Sequence, residues 1–252
     1  MNKIVLITGA TSGIGESAAR LFAKNRYQII ITGRREDRLN LLEKELSTEY
    51  NARVLKLCFD VRDLNQVTDS LGSLPEQWQE VDILVNNAGL AVGLNHIHEG
   101  VVEDWERMID TNIKGLLYVT RTISPGMVQR GRGHIINIAS VAGKEAYEYG
   151  NVYCATKFAV DALSKSIRID LLKHGIKVTN IAPGLVETEF SIVRFKGDKG
   201  KASAPYNGLK PLSGDDIADV IYYCATLPEH VTINDILVMP TSQASANHYY
   251  RE

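Results

Sequence analysis

Tyr153-Cys154-Ala155-Thr156-Lys157 sets a tyrosine and a lysine four residues apart, a spacing that puts both on one face of a helix. In a chain with 11 tyrosines the spacing alone carries little weight, and Tyr206 with Lys210 repeats it. Context separates the two pairs. Ser140 stands thirteen residues before Tyr153, at the end of the run HIINIAS, where open α/β sheets build their sites. The matching position before Tyr206 is Val193. Reducing a carbonyl with a hydride leaves charge on oxygen, so a proton donor must stand at that oxygen. A free phenol has a pKa near ~10. A neighbouring ammonium favours the phenolate, so Lys157 is expected to pull Tyr153 toward working pH while Ser140 orients and polarises the same oxygen. Ser140, Tyr153 and Lys157 are therefore the candidate catalytic group.

A hydride needs a carrier, and the N-terminus offers a place for one. Thr8-Gly9-Ala10-Thr11-Ser12-Gly13-Ile14-Gly15 follows an apolar run and opens an amphipathic one. Glycines at such a junction allow a tight turn and bring backbone N–H groups to a pyrophosphate at a helix N-terminus. Gly9, Thr11, Ser12, Gly13, Ile14 and Gly15 are the candidate cradle. A plain structural turn would also use glycines, but placement at the first strand–helix junction favours a dinucleotide. The next apolar run ends Thr32-Gly33-Arg34-Arg35, with no acid before Glu36. An NAD site calls for a carboxylate here to bind the ribose hydroxyl. Two arginine forks suit phosphate oxygens instead, so Arg34 and Arg35 point to the 2′-phosphate of NADP(H).

The elements that must position these groups alternate along the chain. Residues 3–8, 27–32, 53–58, 82–86, 134–140, 177–182 and 233–239 read as strands, and 13–25, 36–47, 63–72, 102–129, 151–173 and 213–226 as helices. Several strands are apolar on both faces, which suits a parallel sheet covered on both sides. The fold predicted is a single α/β domain spanning residues 1–252, a doubly wound Rossmann-type sheet of about seven strands with helices on both faces. One irregular stretch, around 187–212, carries Gly197, Gly200, Pro205, Gly208, Pro211 and several lysines, and reads as a lid-like excursion. Net charge is -2 and pI near 6.3, so no basic surface invites nucleic acid or an anionic membrane. No apolar run reaches the ~18 residues of a membrane span. Three cysteines without CxxC spacing indicate neither disulfides nor a thiolate metal site, and His96-Ile97-His98 lacks a third ligand, so no metal is expected. A reduced, cytoplasmic setting follows. Trp78 and Trp105 read as packing residues.

The chain resembles the short-chain dehydrogenase/reductase family from end to end. TGATSGIG, Asp60-Val61, Asn86-Asn87-Ala88-Gly89, Asn112, Ser140, YCATK and Pro183-Gly184 fall in that family's order and spacing. The resemblance implies that Asp60 and Val61 meet the adenine. It also implies that Asn87, Ala88 and Gly89 line the adenosine side and steady the central strand. Asn112 would kink its helix and hold a water linking Lys157 to solvent, making it a fourth catalytic residue. Pro183, Gly184, Val186 and Thr188 would contact the nicotinamide and its phosphates. TGRREDRL, VVEDWERMIDTNIKG and PGLVETEFSIVRFKGDKGKA are further similar to the NADP-dependent 3-hydroxy acid dehydrogenases, a subgroup also described as L-allo-threonine or serine dehydrogenases and as a malonic semialdehyde reductase. The turn GLVETEF differs locally, since relatives can carry an extra glycine there.

Such a substrate would place its hydroxyl at Tyr153 and Ser140 and leave a carboxylate needing a partner. Arg194, flanked by Ile192, Val193 and Phe195, is the candidate clamp, against the plainer possibility of a surface arginine. Competing functions are an NADPH-dependent carbonyl reductase for other ketones or 3-oxoacyl thioesters, and a non-catalytic NADP sensor. Residues 151–173 and 113–128 are apolar on more than one face, which asks for burial against partner chains. With the family resemblance, this implies a homotetramer.

Overall fold

Strands with apolar residues on both faces must be covered on both faces, and the computed structural model, which describes residues 3–252, shows how. Seven parallel strands form one sheet: β1 (Ile4–Ile7), β2 (Gln28–Gly33), β3 (Val54–Cys58), β4 (Val81–Asn86), β5 (Gly133–Ile138), β6 (Ile176–Pro183) and β7 (Asp235–Val238). Their order is β3-β2-β1-β4-β5-β6-β7, so the chain reverses its direction of travel between β1 and β4. That doubly wound sheet is the predicted class. Alternation along each strand sends Val5 and Ile7 to one core, and Ile4 and Leu6 to the other.

Helices α1 (Gly13–Lys24), α2 (Glu36–Tyr50) and α9 (Gly214–Thr226) cover the first face. On the second face lie α3 (Leu64–Gly72), α5 (Leu116–Arg130) and α6 (Asn151–Leu171). Local chemistry sets several of their ends. Asp63 caps α3 by accepting from the backbone of Asn65 and Gln66, and Ser213 with Asp216 forms a capping box on α9. Trp78 is buried in the second core, the packing role its sequence suggested.

The helix expected over 102–129 is unbroken but not α-helical throughout. It divides into α4 (Val102–Ile109), a π-helical segment Asp110–Gly115, and α5. Asn112 lies in the π segment, where the widened turn lets its side chain leave the helix. The stretch 187–212 is more ordered than its composition suggested, with two short helices, α7 (Phe190–Arg194) and α8 (Lys199–Ser203). Its feet are tied together where Glu187 N donates to Leu212 O (2.8 Å) and Leu212 N to Leu185 O (2.9 Å). A segment anchored this way can fold as a flap over the sheet's C-terminal edge.

Candidate active site

At the C-terminal ends of β1, β4, β5 and β6 lies a cavity of about 670 Å³. It follows the crevice that reversal of strand order opens in such sheets. Its lining holds the sequence-predicted residues Gly9, Thr11, Ser12, Gly13, Ile14, Arg34, Arg35, Asp60, Val61, Asn87, Ala88, Gly89, Ser140, Tyr153, Lys157, Pro183, Gly184, Val186, Thr188 and Arg194. Gly15 and Asn112 stand just behind that wall. Two regions separated by more than a hundred residues thus meet in one space.

The cradle after β1 is built around Asn87. Its Nδ2 donates to Thr8 O (2.9 Å) and Gly9 O (3.1 Å), tying β4 to the first turn. Gly9 has φ +67, open chiefly to glycine. A Cβ on Gly15 would sit 2.5 Å from both Asn87 Nδ2 and Gly9 O, so only glycine fits there. Ser12 precedes α1 without capping it, leaving the first N–H groups of that helix pointed into the cavity. The glycine turn and the start of α1 thus form one wall of the cavity.

The two arginines behave differently. Arg34 is half-exposed and lies 3.5 Å from Asp60. Burial pushes the Asp60 carboxyl up, but hydrogen bonds from Arg62 and the charge of Arg34 hold it below the usual range. Arg35 folds back over the glycine turn. It donates to Thr11 Oγ1, Thr11 O and Ser12 Oγ, and pairs with Glu189 at 2.8 Å. Neither Glu189 nor Arg38, which shares it, was legible in the sequence as a site residue.

At the other end, Ser140 stands two residues past the end of β5 and accepts from Ala142 N at 3.1 Å. Tyr153 projects from the first turn of α6, and one turn on Lys157 donates to Ile138 O at 2.9 Å. Lys157 Nζ lies 6.0 Å from the Tyr153 ring centroid. Asn112 Oδ1 accepts from Leu90 N, while its Nδ2 donates to Leu90 O and to Thr156 Oγ1. The asparagine thereby fixes the loop after β4 against the helix that carries Tyr153. Tyr206, by contrast, lies in a tight turn and shares no helix with Lys210. Its hydroxyl donates to Val186 O and meets Ser191 Oγ, a brace between the excursion and the strand-end loop.

The electrostatics correct one expectation. The Tyr153 phenol is raised, not drawn down toward working pH. Burial dominates and pushes the phenol well above its ordinary 10, with Tyr147 adding to the rise and Ser140 and Arg194 opposing it. Burial also draws the Lys157 ammonium down to about 8. A group excluded from water pays for charge whatever its neighbour, and a lysine in the same dry space is weakened as a source of positive potential. The phenol therefore stands protonated, the form that donates to a developing alkoxide.

Arg194 reaches this end from α7. Its guanidinium sits 5.4 Å from the ring centroids of both Tyr153 and Tyr147, and Nη2 donates to Tyr147 OH at 2.6 Å. Its Nε is buried without a partner among the described residues. No carboxylate is paired with it among those residues, whereas Lys196 nearby is paired with Asp104 at 2.7 Å. Phe190 packs 5.6 Å from the Tyr153 ring and closes the side facing α7. Tyr147 escaped the sequence reading because it lies in a loop with no period or spacing to mark it.

The short chain dehydrogenase family matches residues 3–198. The NADP-dependent 3-hydroxy acid dehydrogenase of Salmonella typhi is 51% identical over 96% of this chain and 97% of its own. Sulfoacetaldehyde reductase 2 of Chromohalobacter salexigens is 46% identical over 97% of this chain and 96% of its own. Among solved structures, the closed form of a serine dehydrogenase complexed with NADP+ superposes with a TM-score of 0.92 at 48% identity, covering 99% of each chain.

Proposed function

The chain belongs to the short-chain dehydrogenase family, and from that premise we propose that it is an NADP(H)-dependent oxidoreductase acting on the 3-hydroxyl or 3-oxo carbon of small 3-hydroxy acids. Serine, allo-threonine and 3-hydroxypropionate represent that class. Arg194 carries the choice of substrate. A guanidinium with no carboxylate partner and a buried, unsatisfied N–H, set against the catalytic tyrosine, is a binding site for an anion. A neutral ketone or alcohol gives that charge nothing to pair with, which disfavours a general carbonyl reductase. An intact Ser140, Tyr153 and Lys157 disfavours a sensor without chemistry.

The cradle of Gly9, Ser12, Gly13 and Gly15 would hold the pyrophosphate, Arg34 and Arg35 the 2′-phosphate, and Asp60 and Val61 the adenine. Asn87, Ala88 and Gly89 would flank the adenosine, and Pro183, Gly184, Val186 and Thr188 the nicotinamide end. When bound there, NADP(H) supplies or takes the hydride. The protein does the rest. Ser140 fixes the substrate oxygen, and Tyr153, held protonated by burial, gives its proton to that oxygen as charge develops. In the direction of oxidation Tyr153 must accept the proton, and Lys157 one turn away stabilises the phenolate. Arg194 grips the carboxylate, so only substrates with an acid group about two carbons from the reacting carbon engage both ends.

The exposed apolar side chains Leu117 on α5 and Phe158 and Ile169 on α6 support a homotetramer built on these helices. No described helix is long and apolar enough to cross a membrane. The chain's three cysteines, all free thiols, favour a reduced compartment, and the proposed location is the cytoplasm. A substrate panel tests the function: L-serine, L-allo-threonine, 3-hydroxypropionate and 3-hydroxyisobutyrate against 1-propanol and 2-butanol, each with NADP and NAD. The 2-carbon sulfonate isethionate joins the acids, because a guanidinium clamp grips sulfonate as it does carboxylate. Preference for the anionic alcohols with NADP supports the reading, and equal turnover of neutral alcohols overturns it.

A further inference from the structure

Arg35 and Arg38 stand one turn apart at the start of α2, and both reach across to Glu189, more than 150 residues further along the chain. Arg38 Nη1 lies 2.7 Å from each Glu189 oxygen, and Arg35 Nη1 lies 2.8 Å from one of them. The Nε and Nη2 groups of Arg35 donate to Thr11 and Ser12. Partial burial pushes the Glu189 carboxyl up, but the two guanidiniums hold it below the usual range, so it is ionised at neutral pH. An anion arriving beside the glycine turn therefore finds Arg35 already carrying one.

We propose that Glu189 is a specificity-determining residue that competes internally with the cofactor's 2′-phosphate for Arg35. The inference rests on the NADP(H) reading above. A 2′-phosphate carries more charge and more acceptor oxygens than a carboxylate, so it takes Arg35 over and leaves Glu189 with Arg38 alone. A cofactor with a bare ribose hydroxyl has no such claim on Arg35 and leaves the pair intact. Displacement thus weakens binding of phosphorylated cofactors only, and Glu189 tempers the preference that Arg34 and Arg35 create. Since Glu189 precedes Phe190 and Arg194 on α7, the same exchange frees one anchor of the segment that closes the substrate end.

Calorimetric binding of two cofactor fragments, 2′,5′-ADP and 5′-AMP, to the wild type and to Glu189→Gln provides the test without turnover. The ion pairs are partly exposed, so the variant is expected to bind 2′,5′-ADP about two- to fivefold more tightly, with 5′-AMP unchanged. Glu189→Ala, which removes the amide's remaining hydrogen bonds as well, shifts in the same direction. A wild type that prefers 2′,5′-ADP while neither variant tightens it overturns the competition and leaves the NADP(H) reading standing. Weaker binding of 2′,5′-ADP in both variants also overturns it, because Glu189 then braces Arg35 for the phosphate. A wild type that binds both fragments alike overturns the cofactor reading and this proposal together.

Discussion

Lowering the pH from 7 to 5 removes stability through one residue buried in the strand that delivers Ser140. His134 lies in β5 with Nε2 2.8 Å from Thr179 Oγ1, and its Nδ1 has no partner among the described residues. Burial, assisted by the charges of Lys177 and Lys3, lowers its pKa from 6.5 to about 3. The folded pKa is depressed, so the unfolded chain takes up a proton that the folded chain refuses. Stability is complete above 6.5 and is lost as pH falls toward 3. At about 1.4 kcal/mol per unit, the loss between pH 7 and pH 5 is about 2 kcal/mol. Urea unfolding at both pH values, on the wild type and on His134→Gln, measures it. The glutamine keeps a polar contact with Thr179 but cannot titrate, so its stability should fall less by about that amount, whatever its starting value. An equal fall in both proteins refutes the argument, since other groups would then carry the acid sensitivity.

Tyr153→Phe should abolish turnover while leaving 2′,5′-ADP binding close to the wild-type value. Tyr206→Phe should keep the chemistry and lose about 1 kcal/mol of stability with its two hydrogen bonds, read by thermal unfolding beside a rate assay. Equal losses of activity in the two would undo the assignment of Tyr153. Arg34→Ala and Arg35→Ala should each reduce the ratio of kcat/KM for NADP over NAD by about tenfold or more, and unchanged ratios would remove the guanidiniums from the phosphate site. Ultraviolet difference titration without added cofactor should show several tyrosines ionising above 10, with one of the highest-titrating absent from Tyr153→Phe. Its appearance below 10 would contradict burial as the dominant effect.

The sheet was legible because parallel strands covered on both faces leave a plain trace: Ile4-Val5-Leu6-Ile7 and Ile29-Ile30-Ile31 are apolar on both faces. The candidate cradle was legible because its spacing is local to one turn, Tyr153 and Lys157 because they share one helix, and Ser140 because it follows a plain strand end. What escaped depended on three dimensions. Asp110–Gly115 contains nothing that bars an α-helix, and it widens because Asn112 finds both backbone groups of Leu90. The rise in the Tyr153 pKa comes from burial that no spacing to Lys157 reveals. Glu189 and Arg38 meet only after the sheet has folded, and Tyr147 becomes a site residue only because α7 lays Arg194 across it.

Arg194, as proposed, makes this dehydrogenase select an acid, and one comparison tests that role directly. NADP-dependent oxidation of 3-hydroxypropionate and of 1,3-propanediol, which replaces the carboxylate with a neutral hydroxymethyl group, is measured for the wild type and Arg194→Met. Charge-assisted bonds to a carboxylate are worth about 1.5–3 kcal/mol each. The variant should therefore lose about ten- to a hundredfold in kcat/KM for the acid, chiefly through KM, and change little on the diol. Equal losses on both substrates, or none on either, would contradict an anion clamp at Arg194.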